Sequence, residues 1–113
     1  MHNSDLKEKH CESCEGIGAA LNAEQVKNLM PQLAAGWEVA DEYTKLKKSF
    51  HFKNFYQTMA FVNAIAWFAN RENHHPDLEC GYNYCHVTFM THALKGLTHN
   101  DFICAAKIDA IMD

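Results

Sequence analysis

Three things are missing from this sequence, and each absence removes a class of function. There is no excess of positive charge: ten lysines and arginines stand against fourteen aspartates and glutamates, for a formal net charge of −4. A chain balanced in this way has no basic field with which to hold nucleic acid or an anionic membrane. There is no apolar run long enough to cross a bilayer. The richest stretch, 55–68, is broken by Gln57 and Asn63 and falls short of the roughly 20 residues a spanning helix needs. Nor does the polar start, Met1 to Lys9, contain the apolar centre of a secretory signal. The five cysteines (Cys11, Cys14, Cys80, Cys85 and Cys104) are therefore expected as reduced thiols in a cytoplasmic protein, not as a disulfide framework. Internal repeats and low-complexity tracts are absent as well. With 113 residues, 48% of them hydrophobic, the chain suits one globular domain and is too short for a (β/α)₈ barrel or a two-domain dehydrogenase.

Histidine is what the sequence has in plenty. There are eight, and protonating all of them would take the net charge from −4 to +4, so behaviour near pH 6 should differ from that near pH 8. Residues 1–18 read as a loosely ordered lead, and 19–113 as a single domain. Asn22 and Gln25 form a capping box ahead of a helix carrying Val26, Leu29 and Met30, which Pro31 kinks or ends. Gly36 breaks the chain before a short strand at Trp37-Glu38-Val39. From Tyr43 to Phe52 the period changes to two, with Leu46, Phe50 and Phe52 on one face and Lys45, Lys47, Ser49 and His51 on the other. Asn54 caps a long helix that must finish by Asn73 or His74, ahead of Pro76. A second strand pair turns near Gly81, its outgoing strand alternating from Cys85 through His92. Thr98 caps a last helix. The order α-β-β-α-β-β-α predicts an α+β domain, a four-stranded antiparallel sheet with three helices on one face. Its two open edges favour self-association.

The chemistry-bearing feature is His74-His75-Pro76 with His92 downstream. A hairpin turning at Asn83-Tyr84 sets His92 opposite His75; one turning at Tyr82-Asn83 sets it opposite Asn73. In either register three imidazoles meet at one end of the sheet, where neighbouring rings can serve as proton donor and acceptor near neutral pH. His86 lies six residues before His92, roughly 20 Å along an extended strand, too far to share a ligand with it. His2, His10, His51 and His99 read as solvated or packing residues. Cys11 and Cys14, preceded by His10, are half of a four-ligand zinc site at best, so no metal is expected.

The set His74-His75-Pro76, Tyr82, Thr91-His92 and Gly96-Leu97-Thr98 with Asp101 resembles the pterin-4a-carbinolamine dehydratases. The likeness extends upstream through Gly36-Trp37 and residues 50–55, covering roughly 20–110 in order. The resemblance implies a dimer or tetramer built on that same fold. It also implies removal of water from 4a-hydroxytetrahydrobiopterin, the spent cofactor of phenylalanine hydroxylase and the other aromatic amino acid hydroxylases, to give quinonoid dihydropterin. No metal or redox cofactor is needed. By the family's pattern His74, His75 and His92 are the acid–base set, with His74 and His92 moving protons and His75 positioning the substrate or sharing that role. Trp37, Thr91 and Asp101 fall on the pterin side. Trp37 can equally be a core residue, and Asp101 can equally close a capping box with Thr98. By the family's pattern Asn70 stands where an acid is usual and Asn73 where some members have an aspartate, leaving Glu72 as the nearest acid; the expected consequence is weaker proton affinity at the histidines. Animal members of the family also bind a transcription factor, so a non-catalytic protein-binding module is the alternative, with Phe61, Trp67 and Phe68 as candidate contacts.

Overall fold

The computed structural model describes residues 5–112; His2 and the side chain of Cys14 lie outside the described residues. Helix α1 (Ala23–Leu29) starts at the expected capping box. The Asn22 side chain accepts from the Gln25 amide, and Gln25 accepts from the Asn22 amide, each at 2.9 Å. A 3₁₀ turn over Met30–Gln32, with Pro31 inside it, ends the helix. Strand β1 (Glu38–Ala40) pairs antiparallel with β2 (Lys45–His51). Helix α2 (Phe55–Glu72) begins at Asn54, whose side chain accepts from the Gln57 amide, and stops at Asn73 in the left-handed region. Strands β3 (Asp77–Cys80) and β4 (Tyr84–Phe89) form the second hairpin, and α3 (His99–Met112) closes the domain. The sheet order is β1-β2-β4-β3, antiparallel throughout, and the predicted α-β-β-α-β-β-α order holds. Leu46, Phe50, Cys85, Val87 and Phe89 line the inner face of the central strands and are buried.

The connection between β1 and β2 stores strain. Asp41, Glu42 and Tyr43 all have positive φ, at 50°, 56° and 68°, and a non-glycine residue there costs roughly 1–2 kcal/mol. The Thr44 hydroxyl donates to the Asp41 carbonyl at 2.6 Å, and Lys45 pairs with Asp41 at 3.1 Å. Glu42 is exposed and, among the described residues, has no such contact to lose. Glu42→Gly is expected to stabilise the protein by about 0.5–1 kcal/mol, read as a rise in the urea midpoint without a change in slope.

Three expectations need correction. The outgoing strand does not run to His92: it stops at Phe89, and the chain turns through a Thr91–Gly96 bridge and a 3₁₀ turn over His92–Leu94. Left-handed Lys95 closes this turn, and alternation in sequence cannot show where a strand folds back. The hairpin uses the second register, pairing Cys80 with Cys85 and Asp77 with Thr88, but pairing ends before His92 could face Asn73. The same register sets Cys80 and Cys85 opposite each other, Cα atoms 4.1 Å apart, and the structure joins them in a disulfide; Cys11 and Cys104 are free.

The third concerns the lead, whose described residues from Asp5 to Glu12 are anchored to the domain. Leu6, in a 3₁₀ turn over Leu6–Glu8, is buried in the core, and the segment lies along α3 as a strap. This explains how α3 can be buried on most of its circumference, from Asn100 through Ala106 and at Ile108 and Asp109. The sheet cannot cover every side of a helix, and an apolar helix face left in water would be costly.

Candidate active site

Two chain reversals build the site. After α2, Asn73 takes the left-handed conformation (φ 52°) and the His74 amide returns to the Ala69 carbonyl at 3.2 Å. Asparagine tolerates this conformation better than most residues, and aspartate does so too, so the turn accepts either side chain. On the other side, the Thr91–Gly96 turn brings Thr91 and Thr98 together at the start of α3.

His74 and Asp101 meet across these reversals. His74 Nε2 lies 2.6 Å from Asp101 Oδ1; His74 is 8% exposed and Asp101 fully buried. A carboxylate can only accept, so Nε2 carries the proton, and in the neutral ring Nδ1 is left with the lone pair. The other oxygen, Oδ2, accepts from the Thr98 amide at 3.0 Å and the Thr91 hydroxyl at 2.8 Å. Because Thr91 spends its proton on Asp101, Thr98 Oγ1 must donate to Thr91 across 2.8 Å, while accepting from the Asn100 amide at 3.2 Å. The chain of donors therefore runs in one direction and ends on Asp101. Asp101 caps the Thr98 amide with one oxygen and holds the histidine with the other. The Phe89 ring stacks on His74, centroids 6.1 Å apart and planes 6° from parallel.

The other site candidates divide. His92 follows Thr91 directly and is mostly exposed, its Nε2 3.9 Å from Asp77 Oδ2. Asp77 is two residues beyond His75, which is exposed. The 74–77 and 91–101 segments thus meet through the His74–Asp101 and Asp77–His92 pairs, by way of a turn and not a continuous strand. Trp37 is a core residue here: its Nε1 donates to both oxygens of Asp109, at 3.0 and 3.1 Å, and its ring lies 6.2 Å from Phe89. Phe89 therefore neighbours both Trp37 and His74. His86 bonds Ser49 at 2.7 Å on the outer face of the sheet. Among the described residues no group of three histidines, cysteines or carboxylates is placed to hold a metal ion, and no helix is long and apolar enough to cross a membrane.

Sequence reasoning missed one carboxylate and misplaced another. Asp109 accepts from Ala34 N, Trp37 Nε1 and Lys48 Nζ, the last at 3.2 Å. An acid one turn beyond Ala105, on the buried stripe shared with Phe102, was the available signal. Glu72 does not stand in for the missing acids near His74. It faces the strap, accepting from the Cys11 amide at 2.6 Å and bonding His10 Nδ1 at 2.9 Å. Burial pushes the Glu72 carboxyl up, but the Cys11 amide, the His10 ring and the charge of Lys107 outweigh it and hold it below the ordinary glutamate value. The Cys104 thiol is pushed far above the cysteine range by its hydrogen bond with Cys11 and by burial.

A depressed carboxyl stabilises the fold above its unfolded pKa of about 4.3, and that contribution is lost as pH falls through the lower folded value. Glu72→Gln should therefore lower stability at neutral pH and converge with the parent protein below about pH 4. Urea titrations across this range check it.

Most of the chain is similar to known proteins. Residues 19–111 match the sequence profile of the family described as pterin 4 alpha carbinolamine dehydratase. A Legionella pneumophila (strain Lens) protein named for that dehydratase is 75% identical over 109 residues, 96% of each chain. A Nitrosomonas europaea protein of the same name is 53% identical over 107 residues, 95% of this chain and 93% of its own. The crystal structure of a transcriptional coactivator/pterin dehydratase from Brucella melitensis superposes with a TM-score of 0.78 at 31% identity, over 83% of this chain and 99% of the other. A pterin dehydratase-like protein identified as a RuBisCO assembly factor in the α-carboxysome gives 0.59 at 27% identity, over 67% and 88%. With the match spanning the sheet, all three helices and every residue of the His74 network, this chain belongs to the pterin-4a-carbinolamine dehydratase family.

Proposed function

We propose that the protein dehydrates 4a-hydroxytetrahydrobiopterin to quinonoid dihydropterin, recycling the cofactor of an aromatic amino acid hydroxylase such as phenylalanine hydroxylase in the cytoplasm. The observation that carries this reading is the buried His74–Asp101 pair, 2.6 Å apart, at the end of the fold that also holds His75 and His92. The reaction needs two proton movements. The 4a-hydroxyl leaves as water only when protonated, and a ring nitrogen gives up its proton as the C=N bond forms. Proton in and proton out balance, so acid and base groups suffice. His74, its tautomer fixed by Asp101, acts as one partner and the exposed His92 as the other, with His75 positioning the pterin or sharing the transfer. Thr91 and Asp101, fully engaged with each other, serve by orienting His74, and Trp37 by backing the Phe89 ring.

The second reading, a protein-binding module, draws on side chains left in water along α2 and α3: Tyr56, Trp67, Ile111 and Met112. Phe61 and Phe68, candidate contacts by sequence, are core residues instead, whereas Trp67 is 63% exposed with Arg71 stacked on its ring. Self-association through this face, or through the edge strands β1 and β3, is part of the proposal. The deciding experiment is stopped-flow decay of 4a-hydroxytetrahydropterin generated in situ, with and without the protein. Acceleration that His74→Ala or His92→Ala removes supports the dehydratase; an unchanged spontaneous rate with folded protein moves the function to binding.

A further inference from the structure

The strap does more than cover α3. Its Cys11 amide donates to Glu72, in the last turn of α2, and the next amide, that of Glu12, donates to Asn100 Oδ1 at 3.0 Å, in the first turn of α3. Asn100 answers by donating Nδ2 to the Glu12 carbonyl at 2.7 Å. His74 is two residues beyond Glu72, and Asp101 is next to Asn100. One dipeptide therefore joins the helix ends that carry the two halves of the His74–Asp101 pair.

We propose that the N-terminal strap is a positioning element for the site, its Cys11–Glu12 unit setting the separation of His74 from Asp101. This rests on the acid–base reading of that pair. The backbone of the strap runs close against α3, closer than that of α2 does. The strap is itself anchored at several points: Leu6 in the core, the Lys7 carbonyl accepting from Lys107 Nζ at 2.8 Å, and Cys11 Sγ 3.6 Å from Cys104 Sγ. It also lies outside residues 19–111, so the family match does not account for it. A site of this kind has to be held to within about 0.5 Å, and a displacement of about 1 Å can cost on the order of a hundredfold in rate. Asn100 bonds the threonine network only through its backbone amide, so its side chain can be removed without touching that network.

The test uses the full chain carrying Asn100→Ala, Glu72→Ala or Glu72→Gln, read by NMR at the ring N–H proton of His74 and by steady-state dehydration. Release of the strap is checked by amide exchange at residues 5–12. Both alanine variants should exchange the His74 Nε2 proton about tenfold faster and lose about tenfold in kcat with KM little changed. Glu72→Gln, which keeps an oxygen acceptor for the Cys11 amide, should retain the parent signal. If the strap is released and the His74 proton exchanges as in the parent, the proposal is overturned. The NMR readout needs no turnover: a protein that never accelerates dehydration sinks the functional reading, while the ring proton still judges the strap.

Discussion

Asp101→Asn is expected to lower catalysed dehydration by about 10²–10⁴-fold while leaving the protein folded. The reason is the order of donors around the carboxylate. The Thr98 amide can only donate, so the carboxamide oxygen must take the place of Oδ2, which accepts from Thr98 and Thr91. The amide nitrogen then faces His74 Nε2, where a proton acceptor now has to sit. His74 is driven to the other tautomer, with Nδ1 protonated and no longer able to accept. Burial and shape hardly change, so stability should fall by only about 1–3 kcal/mol, the cost of weakening one charge-assisted bond. Stopped-flow rates with a denaturation midpoint for the same sample check both parts. Parent-like activity would mean that the tautomer of His74 is irrelevant.

The largest loss of stability is expected at Asp109, remote from that chemistry. Asp109→Ala removes the acceptor of three donors at once: the Ala34 amide, the Trp37 indole and the Lys48 ammonium. Lys48 has little access to water (side chain 16% exposed) and lies over the Trp37 and Phe50 rings. Breaking a buried pair on one side leaves the other charge uncompensated and costs about 3–5 kcal/mol. In a domain of this size that corresponds to a fall in Tm of about 15–20 °C. Trp37→Phe, which leaves Asp109 its other two donors, should cost far less. Thermal melts of the two variants side by side make the comparison. Equal losses would show that the indole, and not the carboxylate, is the hub.

Local signals in the sequence were reliable where the interaction was local. The caps at Asn22 and Asn54 and the alternation of Leu46 and Phe50 each depend on residues within a few positions of one another, and each formed as expected. The hairpin register depends on one turn, and two readings stayed open until the pairing of Cys80 with Cys85 chose between them. The end of β4 was not legible. Met90 and His92 continue the period of two, and only the bridge between Thr91 and Gly96 shows that the chain has already turned. His74 could be singled out, but its partner could not be separated from a simple helix cap, because Asp101 does both jobs with different oxygens. Asp109 and Glu72 act across 61 to 75 residues of chain, and no periodicity reports such a contact. The strap looked loose because it is polar, with Leu6 and Cys11 as its few inward-facing residues.

The crossing of the strap with α3 has a consequence for how the molecule is assembled. Cys11 and Cys104 touch although 93 positions separate them, so the earliest and latest described segments are neighbours. Closing so long a loop must be compensated by contacts that exist only afterwards, and such topologies fold slowly for their size. During synthesis β2 and α2 leave the ribosome well before β4 and α3, so the inner face of β2 stays uncovered for that interval. His74 has no Asp101 to meet until that last helix arrives. The nascent chain therefore acquires its core, its strap and its acid–base pair in a single late step, and a chain halted before α3 would carry an exposed apolar sheet and no reactive site at all.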